Sequence, residues 1–162
     1  MIVIYTSIFR GTPLLLQLFF VYYGLPVVGI TLPAFTAGVL TFTINYAAYF
    51  CEIFRGSILG IDKGQYEAAQ VLGFSYFKTM SRIIIPQSLI TAIPPLSNEA
   101  ISLVKDTSLV SAIGMAEILR NSKEIVTRDF SILPFAICGA LYFLMSLVII
   151  LLFKKLEEKV MI

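Results

Sequence analysis

Five polar residues crowd the end of an otherwise apolar stretch: Asn98, Glu99, Ser102, Lys105 and Asp106. On a helix, Glu99, Ser102 and Asp106 share one face, and Asn98, Ser102 and Lys105 share an overlapping one. A carboxylate suits an ammonium group, and Lys105 or an amide suits a carboxylate. An ionised side chain within a membrane span costs several kcal/mol unless it meets water or a partner, so Glu99 reads as functional. Just ahead, Pro94 and Pro95 remove adjacent backbone donors, and the helix is expected to bend or unwind there. Irregular backbone at membrane depth is tolerated where it is buried or lines a cavity. Asn98, Glu99, Ser102, Lys105 and Asp106 are therefore the candidate lining of a solute pathway. The plainer alternatives are a bundle-holding ion pair of Glu99 with Lys105 or Lys123, solvated residues at the outer interface, and a packing kink.

Other chemistry is hard to place on this chain. It has no histidine, and Cys51 and Cys138 lack a metal-ligand spacing, so both read as small packed hydrophobes. Neither a catalytic residue nor a metal ligand can be assigned. The Gly60–Gly64 segment, with Lys63, has neither the spacing nor the Ser/Thr of a phosphate-cradling loop, so any ATP must be used by a partner. The net charge of +2, spread along the chain, gives no nucleic-acid-binding face.

The elements that must hold these residues are membrane helices. The 162 residues are 58% hydrophobic and 14% charged, with mean hydropathy +0.90, against about a quarter charged in soluble domains. No charged side chain occurs from Gly11 to Cys51, room for two spans of roughly 20 residues. Gly24, Pro26, Gly29 and Pro33 divide that run. The spacing predicts spans at Thr12–Val28, Pro33–Phe54, Ile83–Val104 and Ser131–Phe153, with Pro13 and Pro33 in first turns and a charged tail at Lys154–Ile162. No signal peptide is evident, because Met1-Ile2-Val3 lacks a basic lead. If Gly60–Arg82 is cytoplasmic, Arg10, Arg55, Lys63, Lys78, Arg82, Lys154, Lys155 and Lys159 lie inside, and Lys105, Arg120, Lys123 and Arg128 outside. That excess sets a cytoplasmic C-terminus. Small-residue pairs, Ala34 with Gly38 and Ala136 with Ala140, permit close helix contacts.

Between the second and third spans, Asp62 and Gln65 resemble a pair opening a helix, and Gly73 is placed to end it. Tyr66, Ala69 and Leu72, with Ala68 and Val71 beside them, give that helix an apolar stripe. Glu67, Ala68, Ala69, Gly73, Ile83 and Pro86 fall on the spacing of the EAA loop, and the stretch resembles that loop of ABC-importer membrane subunits. Ile85 stands where Leu is usual. Phe9-Arg10-Gly11-Thr12-Pro13-Leu14, Glu52-Ile53-Phe54-Arg55-Gly56 and Lys105-Asp106-Thr107-Ser108-Leu109 are similar to motifs of the polar amino acid subfamily of these permeases.

The resemblance implies an all-α integral membrane protein over residues 1–162, one permease domain of the type I ABC importer fold, with four transmembrane helices and a cytoplasmic coupling helix. The family pattern has a further helix ahead of the Phe9–Leu14 motif, so the chain is expected to lack the first of five. In the resemblance, Glu67, Ala68, Ala69, Gly73, Ile83 and Pro86 belong to the loop that receives an ATPase (residues 60–86). Residues 105–130 would form an outer gate, with an amphipathic helix at Thr107–Asn121 over the pathway mouth. The implied partners are two ABC ATPase subunits, a second permease subunit, identical or paralogous, and an external amino-acid-binding protein, all at a bacterial or archaeal inner membrane. ATP and Mg would be used by the ATPase, with no cofactor in this chain. The competing reading is an ATP-independent carrier or channel for small polar solutes, which leaves the 60–86 pattern without a purpose. An integral-membrane enzyme is disfavoured by the missing catalytic groups.

Overall fold

The computed structural model describes residues 2–160, and among these there is no strand. Helix α1 (Ile2–Gly11) meets α2 (Leu14–Phe19) at an elbow of 100°. α2 continues as a π-turn (Phe20–Gly24) and a 3-10 turn (Leu25–Val28), and Gly29 ends it at φ +86°. Then come α3 (Ala34–Leu59), α4 (Lys63–Val71), α5 (Tyr76–Thr79), a π-turn (Met80–Ile84), α6 (Ile85–Asp106), a 3-10 turn (Thr107–Ile113), α7 (Ile118–Asp129) and α8 (Leu133–Val160). α3 is central: α1, α2 and α6 all pack on it, and α8 packs on α6 and α7.

The buried face of α3 is Ala37, Gly38, Thr41, Asn45, Tyr46 and Ala48, a helical stripe of mostly small residues that lets neighbours approach closely. A Cβ at Gly38 would stand 3.5 Å from Val110. Ala136 and Ala140, the second small-residue pair, are exposed. Leu18 on α2 and Ile84 at the foot of α6 are fully buried anchors.

α3 and α8 are long and apolar enough to cross a membrane, and the bent α1–α2 pair qualifies if it counts as one span. With 22 residues α6 also has the length, about 1.5 Å per residue. Its prolines, Asn98 and Glu99 keep it from qualifying on composition, so length and apolarity identify fewer than the four expected spans.

Several boundaries differ from the sequence expectation. Pro13 and Pro33 occupy the cap positions just before α2 and α3, in extended backbone. α8 does not stop at Phe153 but runs through Lys154 and Lys155 to Val160, because Lys, Leu and Glu all favour helix and nothing there breaks it. α6 passes straight through Pro94 and Pro95 without unwinding. The two prolines deprive only the Ile90 and Thr91 carbonyls of donors, and packing on α3 and α8 holds the turns on either side. Pro86 likewise cannot donate to the Arg82 carbonyl. The ladder slips by one residue just before it, Ile85 N–H reaching Met80 O, which makes the π-turn.

α4 is closed at both ends by its own sequence. The Asp62 carboxylate accepts from Gly64 N–H at 2.7 Å, and Gln65 joins through its backbone N–H, which donates to Asp62 O. At the other end Gly73 N–H donates to Gln70 O and Phe74 N–H to Ala69 O, both at 2.9 Å, with Gly73 at φ +73°. That is a Schellman stop. Space at Gly73 is open, so Gly73→Ala tests conformation alone. It should destabilise the protein by about 1 kcal/mol, read as a lower melting temperature in detergent.

Candidate functional site

Glu99, Ser102 and Asp106 of α6 line one wall of a cavity of 270 Å³. Asn45, Tyr46 and Tyr49 of α3 form the facing wall, and Thr12 and Leu14, one on each side of the elbow's Pro13, complete it. Tyr46 is buried and its hydroxyl donates to Asp106 Oδ2 at 2.7 Å. This bond fixes one carboxylate and ties α3 to the end of α6. Glu99 forms no salt bridge among the described residues, and no lysine or arginine lines the cavity. Two carboxylates, an amide and two aromatic rings in one hollow offer acceptors and ring faces to a cation.

The helix divides the five predicted pathway residues. Glu99, Ser102 and Asp106 share the cavity. Asn98 is exposed and does not line it, and Lys105 faces a separate 410 Å³ hollow with Ser108, Leu119, Phe135, Cys138, Gly139 and Tyr142. The 3.6-residue turn carries the second overlapping face away from α3, so Lys105 meets α8 instead. The residues missed by the sequence reading, Thr12, Asn45, Tyr46 and Tyr49, are polar positions inside a run with no charge. The signal that could have found them is the recurrence of Asn45 and Tyr49 one helical turn apart.

Behind Tyr49 lies a charged cluster. The Arg10 guanidinium sits 5.3 Å over the Tyr49 ring, and its NH1 is 3.7 Å from Glu52 Oε2. Glu52 also accepts from Arg55, at 2.6 and 2.9 Å, and from the Thr6 hydroxyl at 3.2 Å. The Phe9–Leu14 and Glu52–Gly56 motifs thus meet at this one carboxylate, pinning α1 to α3.

The 60–86 segment forms a second candidate surface. α4 packs on the Met80–Ile84 turn; Ala69 is fully buried and Tyr66 half-buried, while Glu67 and Ala68 are exposed. Val71 (88% exposed), Leu72, Tyr76 and Phe77 (81%) add an apolar patch beside them. The predicted stripe is therefore split, with Leu72 and Val71 on the free side. Ile83 and Pro86 belong to the foot of α6.

Over residues 105–130 the chain makes two elements where one amphipathic helix at Thr107–Asn121 was expected, because Gly114, at φ +83°, breaks the run. Glu117 caps α7, accepting from Leu119 N–H at 2.7 Å and Arg120 N–H at 2.5 Å, and receives the Tyr142 hydroxyl of α8 at 3.0 Å. The Arg120 guanidinium donates to Gly114 O. At the far end of α7, a hydrogen bond from Arg128 holds the Asp129 carboxyl below the usual carboxylate range.

Residues 1–162 match the family described as binding-protein-dependent transport system inner membrane component. The chain is 48% identical over 126 residues to the L-cystine transport system permease protein TcyB of Bacillus subtilis, covering 78% of this chain and 54% of that one. It is 40% identical to the arginine transport system permease protein ArtQ of the same organism, over 96% of this chain and 72% of the relative. To the glutamine transport system permease protein GlnP of Escherichia coli it is 37% identical, over 98% and 74%. The chain thus spans about half the length of the cystine permease and about seven tenths of the other two. A crystal structure of an amino acid ABC transporter with histidines superposes with TM-score 0.91 at 40% identity, covering 97% of this chain and 74% of the solved one.

Proposed function

Since the chain belongs to the family of inner membrane components of binding-protein-dependent transport systems and has their type I permease fold, we propose that it is the permease subunit of an ATP-driven importer of polar amino acids. The relatives' names, for cystine, arginine and glutamine, support that substrate class. The observation that carries the reading is a packed, largely helical path between two sites. α4, with Glu67, Ala68 and the apolar patch on its free side, packs on the Met80–Ile84 turn with Ala69 buried, and the chain is then helical without a break from Tyr76 to Ile113. A push on α4 is delivered along α6 to Glu99, Ser102 and Asp106.

In this reading α4 docks on one of two ATPase subunits, which use ATP and Mg, and a second permease subunit, identical or paralogous, completes the membrane part. An external binding protein delivers the amino acid over the 105–130 segment. α4 and the C-terminus are cytoplasmic, and four segments cross the membrane: the bent α1–α2 pair with its turns to Val28, α3, α6 and α8. Closure of the ATPase pair moves the coupling helices and switches the pathway from inward- to outward-facing, and hydrolysis resets it. Two carboxylates without a lining cation favour a solute bearing an extra positive charge.

The test is co-expression with an amino-acid-importer ATPase and purification in detergent. A stable complex is expected, weakened at least about tenfold by Glu67→Lys or Gly73→Trp, since each alters the docking helix at the cost of a hot-spot contact. Reconstituted with a binding protein, the complex should take up amino acid only with ATP. Uptake by the permease alone, without nucleotide, would establish the carrier instead.

A further inference from the structure

The Phe9–Leu14 motif contains a polar knot that bears on the cavity. Pro13 has no N–H to offer the Phe9 carbonyl four residues back, and the elbow turns away from it. Two side chains take the donor's place: Gln17 Nε2 reaches Phe9 O at 2.9 Å and Asn45 Nδ2 reaches it at 2.8 Å. Asn45 Nδ2 also donates to Gln17 Oε1 at 3.0 Å, and Gln17 Nε2 to Thr12 Oγ1 at 2.7 Å and Thr12 O at 3.1 Å. Thr12 Oγ1 donates to Ile8 O at 2.8 Å. The acceptors around Asn45 Nδ2 fix that amide's orientation. Both its hydrogens are used inside the knot, which leaves Oδ1 to the cavity that Asn45 lines. A part-buried carbonyl left without a donor is costly, so the knot is what permits a 100° elbow here.

We propose that Gln17 and Asn45 are positioning residues for transport: their amides latch the elbow so that Thr12 and Leu14 close the Glu99–Asp106 cavity and Asn45 presents an acceptor to its occupant. The inference rests on the cavity being the solute pathway. Gln17 itself does not line the cavity, so an effect of Gln17 on solute affinity must pass through the latch.

The test uses the complete transporter in proteoliposomes, normalised for folded complex, with Gln17→Met, Asn45→Ala, the double variant and Glu99→Gln. Spin labels at Ser7 and Val28, both exposed, read the elbow directly. Gln17→Met should broaden the label distance distribution and raise the KM for uptake about tenfold, the effect of losing the part-buried hydrogen bonds to Phe9 O and from Asn45, with maximal rate within about twofold. The double variant should be no worse than Asn45→Ala alone, because the two act as a unit. A merely structural role would lower the amount of complex and leave KM unchanged. An unchanged distance distribution overturns the latch. A broadened distribution with unchanged KM, while Glu99→Gln raises KM, overturns the positioning role alone. If Glu99→Gln also leaves KM unchanged, the cavity is not the pathway and the proposal falls with that reading.

Discussion

Glu99→Gln should raise the KM for a cationic amino acid roughly thirtyfold in the assembled transporter, the worth of a hydrogen bond to a charged partner. The substitution keeps volume and shape and removes only the charge. Asp106 is already engaged by the Tyr46 hydroxyl, whereas Glu99 forms no salt bridge among the described residues, so in the proposed pathway Glu99 is the carboxylate left to receive an incoming cation. A neutral amino acid gains less from that charge, and its KM should move less than about threefold. The preference between the two therefore falls by about a factor of ten. Uptake by the reconstituted transporter, with both solutes measured on one preparation, reads this directly. An unchanged KM and unchanged preference would remove Glu99 from the pathway.

The part of this site that was legible in the sequence is the part carried by one helix. Glu99, Ser102 and Asp106 share a face because helical spacing is fixed, and the structure keeps them together. Spacing could not say which of two overlapping faces meets α3. That is decided by tertiary packing, and it sends Asn98 and Lys105 elsewhere. The facing wall was illegible for the same reason. Asn45, Tyr46 and Tyr49 lie some fifty residues earlier in the chain, and nothing local marks an amide in an apolar run as a wall rather than as packing.

Local rules did better where caps decide the outcome. Asp62 and Gly73 bound α4 as their chemistry requires, because a capping carboxylate and a left-handed glycine act over a few residues. They failed at Pro94-Pro95, where the intrinsic penalty of proline is real but the flanking turns are held by neighbours that spacing does not reveal. The bend is instead at Gly11–Pro13, at the end of the first apolar helix, where Gln17 and Asn45 can satisfy the carbonyl left over. The difference between the two prolyl sites lies in which side chains stand within reach.

Glu117→Ala should be the most damaging change outside the cavity. Its carboxylate closes two of the first N–H groups of α7 and takes the Tyr142 hydroxyl from α8. It is thus both the cap of one helix and the bolt joining it to another. Losing the cap and a hydrogen bond to a charged acceptor costs about 2–3 kcal/mol, a fall in melting temperature of roughly 8 °C for a domain of this size. The negative charge at the helix N-terminus adds to the cap and is lost with it. Glu117→Gln keeps one acceptor oxygen without the charge and should recover about half of the loss. Thermal unfolding in detergent, with protease cleavage in the Ser131–Leu133 connection as a local probe, separates the two roles. If Glu117 is the bolt, cleavage there rises with Ala more than the global melting change requires, because α7 detaches before the bundle opens. A fall of only about 2–4 °C, the worth of the cap alone, with unchanged cleavage, would mean that α7 is held on α8 by its apolar contacts and that Glu117 is only a cap.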